Sequence, residues 1–408
     1  MLKRLPEPLR EVGVIFLITR GALFLLAPLA YLTLPKIDPA IQEHRANLFP
    51  QATETLTGLP HYLVDIWAKW DAVWYLQIAH QGYRADDFSA AFFPLYPLLV
   101  AVVRPLFLGN GVIAGIALSL AACFGAFYYL YRLLELDFDA ATAKKAVFYI
   151  AIFPTTFFLQ TIYTESLFLL LTVLCFYLAR RNQYLYASIA GALATLTRSA
   201  GLLLLVPLAV MYLRERDWDL RRIRPDAVYL LLIPLGLMAY MLFLDIRFGD
   251  PFLFSSAQSF WSRGFTGPIG GIYYGIKAAF WGMDAIISTP DTTFWLPVVD
   301  QDPRLWATYD VINLLFTVPF LAFSVIAFWR LPLHYALYAL LLMLMPLSYP
   351  SSVPLMSMPR FILTVFPLFV LLSMWGRERQ WVDRLITVTS LVFLGFFVSK
   401  FVVFTWVA

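Results

Sequence analysis

The sequence predicts an all-α polytopic membrane protein, and three observations carry that expectation. Of its 408 residues, 61% are hydrophobic and only 14% are charged. Mean hydropathy is +0.74. Apolar runs of membrane-spanning length recur along the chain. A soluble domain sits nearer half apolar with about a quarter of its residues charged. The two cysteines, Cys123 and Cys175, lie inside apolar runs and read as small core residues, not as a disulfide framework or a zinc site. The net charge of +4 reflects basic loops on one side of a membrane more than nucleic-acid binding. The first hydrophobic run continues through "FLITRGALFLLAPLAYLTL" with no small-residue cleavage site, as expected of a retained helix rather than a signal peptide.

Order and orientation follow from hydropathy and from where Lys and Arg collect. Lys3, Arg4 and Arg10 precede the first expected span, residues 12–34, which puts the N-terminus in the cytoplasm. The run 112–131 ends at Arg132, with Lys144 and Lys145 close behind, so it is expected to return to the cytoplasm. Parity then forbids 92–108 from crossing, and Pro94, Pro97 and Pro105 cut it into pieces too short to span. Residues 35–111 are therefore expected to form one large outer loop carrying interfacial helices. Further spans are expected at 146–158, 165–179, 185–196, 202–213 and 228–245, with "ARRNQ" and "RERDWDLRRIRPD" as cytoplasmic loops. A second outer loop, about 247–304, has turn signals in "FGDP" and "STPD" and an apolar stretch, 269–287, expected to lie along the membrane. Spans at 309–328, 335–347, 361–374 and 385–403 bring the total to about eleven crossings in a single domain, 1–408. No internal repeat, soluble domain or low-complexity tail is evident.

Within the first outer loop, "WAKWDAVWYLQIAHQGY" crowds Trp67, Trp70, Trp74 and Tyr75 around one acid, Asp71. On a helical wheel Trp67, Asp71, Trp74, Tyr75 and Ile78 share a face, with Lys69 and His80 opposite. An acid in the middle of an aromatic stripe is partly desolvated and suited to accept a proton from a substrate hydroxyl. The plainer reading makes Asp71 a helix N-cap or a partner of Lys69, and the wheel does not separate the two.

The stretch "WDAVWYLQIAHQGY" followed by "AFFPLYP" resembles the signature of the PIG-V family, the GPI mannosyltransferase 2 group of GT-C glycosyltransferases. Other parts match in order: Arg20 in "ITRGAL", "FPTTFFLQTIYTESLFLLL" over 153–171, "ATLTRSAGL" over 194–202, and "SMPRFILTVFPLF" over 357–369. The resemblance implies a GT-C-like fold whose first outer loop carries the catalytic base, which by position is Asp71. The family pattern often has an acid two or three residues after the Gly-Tyr pair. Here "GYRADDFSA" places Asp86 or Asp87 near that position with a slight shift, which leaves a second catalytic acid open. The family also has bacterial and archaeal members, so a GPI acceptor is not implied.

The resemblance further implies an inverting transfer of mannose, or another hexose, from a polyprenyl- or dolichyl-phosphate donor to a glycan, glycolipid or protein acceptor at the outer face of a cell membrane, prokaryotic in type. No cofactor and no metal is expected, because a lipid phosphate is already a competent leaving group. Such chemistry needs a base for the hydroxyl and a cationic cradle for the departing phosphate. Arg198 falls between two short spans on the expected outer side, where positive-inside statistics disfavour it. It reads as a phosphate ligand or as a snorkelling anchor of a helix end. Arg360 occupies the equivalent position before a late span. Arg20 lies inside the first span and either pairs internally or serves the site. Arg263 shares the second outer loop with Gln258 and Trp261, a set suited to a sugar platform or a phosphate contact and nearly as well to an ordinary loop surface. Tyr163 and Glu165 either line the pocket beside Asp71, or Glu165 simply complements a helix N-terminus. Four scattered histidines form no metal-ligand pair.

A transporter or lipid flippase is the competing class. Transporters tend to show repeated halves and ionisable groups near the membrane midplane, whereas the unusual polar residues here sit at outer helix ends and in one outer loop. A non-catalytic scaffold with an interfacial aromatic helix is a third reading. It leaves the outer arginines unexplained.

Overall fold

In the computed structural model, residues 6–34, 56–288, 303–403 and 405–407 are described. Lys3, Arg4, residues 35–55 and the "STPD" turn beyond Ser288 lie outside them. Fourteen helices of nine residues or more make up the described fold: α1 Glu7–Thr33, α2 Ala72–Gln81, α3 Leu95–Val103, α4 Gly111–Asp137, α5 Ala140–Ile152, α6 Glu165–Arg180, α7 Tyr184–Thr197, α8 Leu205–Arg214, α9 Leu232–Phe248, α10 Gly267–Ser288, α11 Pro303–Arg330, α12 Leu333–Ser348, α13 Phe366–Glu378 and α14 Gln380–Val402. No strand occurs among the described residues.

Five helical stretches are long and apolar enough to cross a membrane: Glu7–Thr33, Gly111–Asp137, Pro225–Phe248, Thr308–Arg330 and Gln380–Val402. Their outward faces stay greasy, as at Leu17, Leu25 and Leu29 of α1, and the protein is an integral membrane protein. The expected run 92–108 is a short helix, α3, followed by a 3-10 turn at Arg104–Phe107, with Pro94 at the helix start. Other expected spans are interrupted. The span at 146–158 ends early, because α5 stops at Ile152 ahead of Pro154. That at 361–374 divides into a turn of helix, Met358–Ile362, and α13, which begins beside Pro367.

The breaks are where the interior becomes polar. Residues 153–164 leave helical geometry except for a 3-10 turn, Thr156–Leu159, yet every one of them is buried. Irregular backbone at membrane depth survives only when its carbonyls find partners inside the protein. Arg20 supplies them from α1. Its guanidinium donates to the Ala151 carbonyl at 2.7 Å, the Thr156 carbonyl at 2.9 Å and the Thr156 hydroxyl at 2.9 Å. Thr155 donates to the carbonyl of Pro359 at 2.9 Å, which ties the same segment to the Met358–Ile362 turn.

Helices α4, α6, α7 and α9 pack in sequence, α5 lies against α13, and α10 lies against α11 and α12. Connectivity sorts the helix ends. Glu165 opens α6 and Arg180 closes it, a helix of sixteen residues and about 24 Å at 1.5 Å per residue. α7 then returns and ends at Arg198. At one end of the bundle Lys144 pairs with Glu11, Lys145 with Asp383, Arg180 with Asp137 and Arg377 with Asp139. Asp71, Arg198 and Arg360 gather at the other.

Candidate active site

The segment between α1 and α4 delivers Asp71 through a break, not through a continuous helix. The expected wheel face running from Trp67 to Ile78 is corrected here. Asp65–Trp67 is a 3-10 turn, Trp70 takes a left-handed φ of 58°, and α2 begins only at Ala72. Packing explains the break. Trp67 is fully buried, while Trp70 turns the other way to meet Trp406 edge-on at 4.9 Å. Asp71 thus occupies the N-cap position of α2, yet its side chain makes no cap hydrogen bond. Tyr163 fixes the backbone on both sides of Trp70, its hydroxyl donating to the Lys69 carbonyl and accepting from the Asp71 amide, each at 3.1 Å.

The Asp71 carboxylate turns instead to Arg360, whose Nη1 donates to Oδ2 at 2.8 Å. Arg360 Nε lies 3.3 Å from Oε1 of Glu165, and Arg198 Nη1 donates to that same oxygen at 2.7 Å. One buried carboxylate therefore holds two guanidinium groups. The helices assist: Glu165 sits in the first turn of α6 and Arg198 at the C-cap of α7, so each charge complements its helix dipole. The chain can fold back after Arg198 because residue 201 is glycine. A Cβ there would lie 2.3 Å from the backbone nitrogen of Thr195. Phe361 stacks beside both cations, 5.2 Å from Arg198 and 5.4 Å from Arg360.

These groups open onto a cavity of about 450 Å³. Asp71, Tyr75, Arg198 and Arg360 line it, together with Gln258, Trp261 and Arg263 from the segment between α9 and α10. Trp74 stacks on Phe92 at 5.5 Å, and Trp261 meets the same ring edge-on at 5.7 Å, which joins the two loops by aromatic contact. Counting Glu165 behind the wall, three guanidinium groups face two carboxylates, leaving one positive charge in excess. Burial opposes the charge on Arg360, but Asp71 and then Glu165 outweigh it and hold its pKa above the ordinary arginine value. Arg263 has no ion pair among the described residues. Burial, then repulsion from Arg360, draws its pKa down to about 10, with Asp71 acting in the opposite sense, so it remains cationic at neutral pH. Among the described residues no three His, Cys, Asp or Glu side chains gather as around a metal ion. The arrangement suits an anion next to a carboxylate whose Oδ1 accepts no hydrogen bond among the described residues.

Most of the residues singled out in the sequence meet here, with exceptions. Tyr163 and Glu165 stand behind the cavity wall and position the groups that line it. Trp70 packs on Trp406 and lies outside the lining. Asp86 is exposed and pairs with Arg84 at 3.5 Å, because the Gly82 turn carries it outward. Asp87 accepts from Gln77 and, at 3.0 Å, from the amide of Ser89, bracing its own loop. Neither acid lines the cavity. Arg20 belongs to the buried break described above. The lining also includes Thr164 and Trp406. Thr164 stands between two residues already singled out, while nothing in the sequence ties Trp406, beyond the last span, to Asp71.

With this geometry in hand, comparison with known proteins is informative. The profile of the family described as Mannosyltransferase (PIG-V) matches residues 13–284. GPI mannosyltransferase 2 of Schizosaccharomyces pombe is 28% identical over 144 residues, which are 33% of this chain and 30% of that protein. The match thus spans under a third of the curated relative's length. Among solved structures, ArnT from Cupriavidus metallidurans bound to undecaprenyl phosphate aligns over 74% of this chain and 72% of its own, with a TM-score of 0.36 and 11% identity. The Archaeoglobus fulgidus oligosaccharyltransferase complex with Zn and sulfate aligns over 94% of this chain and 53% of its own, with a TM-score of 0.41 and 16% identity.

Proposed function

The chain belongs to the PIG-V mannosyltransferase family, and from that premise we propose that it moves mannose, or another hexose, from a polyprenyl- or dolichyl-phosphate carrier to an acceptor hydroxyl. The observation that carries this reading is the convergence of Asp71 with Arg198, Arg263 and Arg360 on one cavity. The acceptor oxygen attacks the anomeric carbon from the face opposite the phosphate. A new C–O bond forms as the bond from that carbon to the phosphate oxygen breaks, so configuration inverts. The hydroxyl proton passes to Asp71, and the electron pair leaves on the phosphate. The arginines offset the charge that develops there, in a site that largely excludes water. A phosphate drawn to Arg360 competes with Asp71 for the guanidinium and releases Oδ2 to the acceptor.

The outer face is supported by the distribution of charge. Arg132, Lys144, Lys145, Arg180, Arg181 and Arg214 crowd the end of the bundle opposite the cavity, as the positive-inside rule expects of a cytoplasmic side. The test is Asp71→Asn, which keeps the shape and an acceptor for Arg360 while removing the base and its charge. Transfer of radiolabelled mannose from polyprenyl phosphate into membrane acceptors should fall by about 10²–10⁴-fold. Undiminished transfer by this variant ends the reading, and a product with the donor's anomeric configuration ends its inverting part.

A further inference from the structure

A second cavity, of about 780 Å³, lies beside the first and is lined by α10, the start of α11 and the turn 350–354. The segment 262–266 runs between the two, and Tyr349 and Pro350 fall on either side of the same boundary. Gly264 lines both, Arg263 lines the first, and Ser262 and Thr266 line the second. The partition is held in place by backbone bonds, from the Gly264 amide to the Pro350 carbonyl at 3.3 Å and from the Thr266 amide to the Ser348 carbonyl at 3.0 Å.

The two cavities differ in chemistry. The first is dominated by guanidinium groups. The second carries one acid, Asp310, and one ammonium, Lys277, so it has no excess charge to draw a phosphate. Its distinguishing groups are flat rings and hydroxyls. Trp281 and Tyr274 offer exposed ring faces, and Lys277 is held over the Trp281 ring with Nζ 4.5 Å from its centroid. Ser352 adds a hydroxyl from the facing turn, which the Ser351 hydroxyl braces by donating to the Val353 carbonyl at 2.7 Å. A neutral saccharide presents C–H patches for a ring face and hydroxyls for carboxylate, ammonium and serine partners, and the volume falls in the range of small-molecule sites.

We propose that this second cavity is the acceptor subsite and holds the non-reacting sugar residues of a saccharide whose free hydroxyl reaches past Gly264 toward Asp71. The inference rests on the reading of the first cavity as the donor site. Ser352→Cys offers a direct test, since Ser352 is exposed and the native Cys123 and Cys175 are buried. The variant is compared with itself before and after labelling with a bulky maleimide, in membranes of source cells lacking the chromosomal copy. Two quantities are read: binding of polyprenyl phosphate, and transfer from radiolabelled polyprenyl-phosphate mannose to endogenous acceptors. Labelling should lower transfer at least about tenfold and leave lipid-phosphate binding unchanged; Trp281→Ala should lower transfer in the same selective way. Transfer unaffected by the label overturns the subsite, as does lipid-phosphate binding that falls together with transfer, since the cavity would then extend the donor site. Absence of transfer by the native protein overturns the donor reading itself, and with it the subsite built on it.

Discussion

The two ends of this helical bundle use the same residue types to opposite ends. At the basic end, Lys144 pairs with Glu11, Lys145 with Asp383, and Arg377 with Asp139, one charge against one, each side chain between 19% and 56% exposed; Arg180, between Asp137 and Glu215, is the more buried exception. At the cavity end the Glu165 side chain is 1% exposed and its two arginines are 20% and 10% exposed. There the cations outnumber the acids. Exposed balanced pairs contribute little to stability and hold helix ends in register. A buried cluster with unequal charges is costly to assemble and persists where something else, a substrate anion, completes it. The imbalance, not the mere presence of charge, is what distinguishes a site from a fastening.

Glu165→Gln attacks the comparison where it is strongest. It removes the carboxylate that holds Arg198 and Arg360 together and leaves a guanidinium without its counter-charge. Denaturation of the detergent-solubilised protein should show a loss of about 3–5 kcal/mol. A variant as stable as the native protein would place Glu165 with the exposed pairs of the other end. Arg360→Lys is the next step down. Lysine keeps the charge but is a single point that cannot span Asp71 and Glu165 as a planar fork does. Loss of one charge-assisted bond is worth about 1.5–3 kcal/mol, or roughly ten- to a hundredfold in transfer rate.

Tyr163→Phe separates holding from doing. Among the described residues the hydroxyl hydrogen-bonds only with the Lys69 carbonyl and the Asp71 amide, so its removal loosens the base while the ring stays beside Arg360. A cost of about 1 kcal/mol or slightly more predicts a several-fold drop in kcat. The donor KM should stay unchanged, because the phosphate cradle is intact. A rise in donor KM with kcat preserved would show that Tyr163 acts on the cradle instead.

The sequence made some of this legible and hid the rest, for physical reasons. Hydropathy announced a helical membrane protein, and prolines at 94, 97 and 105 announced that 92–108 would not run as one helix. Arg198 and Arg360 stood out because the expected orientation puts them on the outer side, where positive charge is disfavoured; both line one cavity. Arg20, inside the first span, was left between internal pairing and service to the site, and it pairs internally, with a broken helix. What separates it from the others is a carbonyl contributed by residue 156, distant in the chain. The wheel drawn through Trp67 and Asp71 failed because periodicity assumes an unbroken helix, and the turn at Trp70 is set by the partner ring of Trp406. Glu165 was placed correctly at a helix start, but no spacing rule foretells that one acid will hold two arginines, 33 and 195 positions further along.

The smallest effect belongs to the basic end and closes the comparison. Asp139 has two tasks there: it pairs with Arg377 at 2.7 Å, and its Oδ1 accepts from the Thr142 amide at 2.7 Å to cap α5. Arg377 first, and then that amide, hold its pKa below the ordinary aspartate value. A depressed carboxylate pKa contributes stability that is complete above the unfolded value and is lost only as pH falls through the folded one, so the pair is intact at neutral pH. Asparagine caps a helix about as well as aspartate does, which makes Asp139→Asn a test of the ion pair alone. The variant should lose less than about 1 kcal/mol and transfer sugar at the native rate. Because the pair is exposed, roughly 1 M salt should erase even that difference, the Debye length having shrunk to about 3 Å. The loss caused by Glu165→Gln should survive the same salt. If both respond alike, the two ends are electrostatically equivalent and the cavity's excess charge has no special standing.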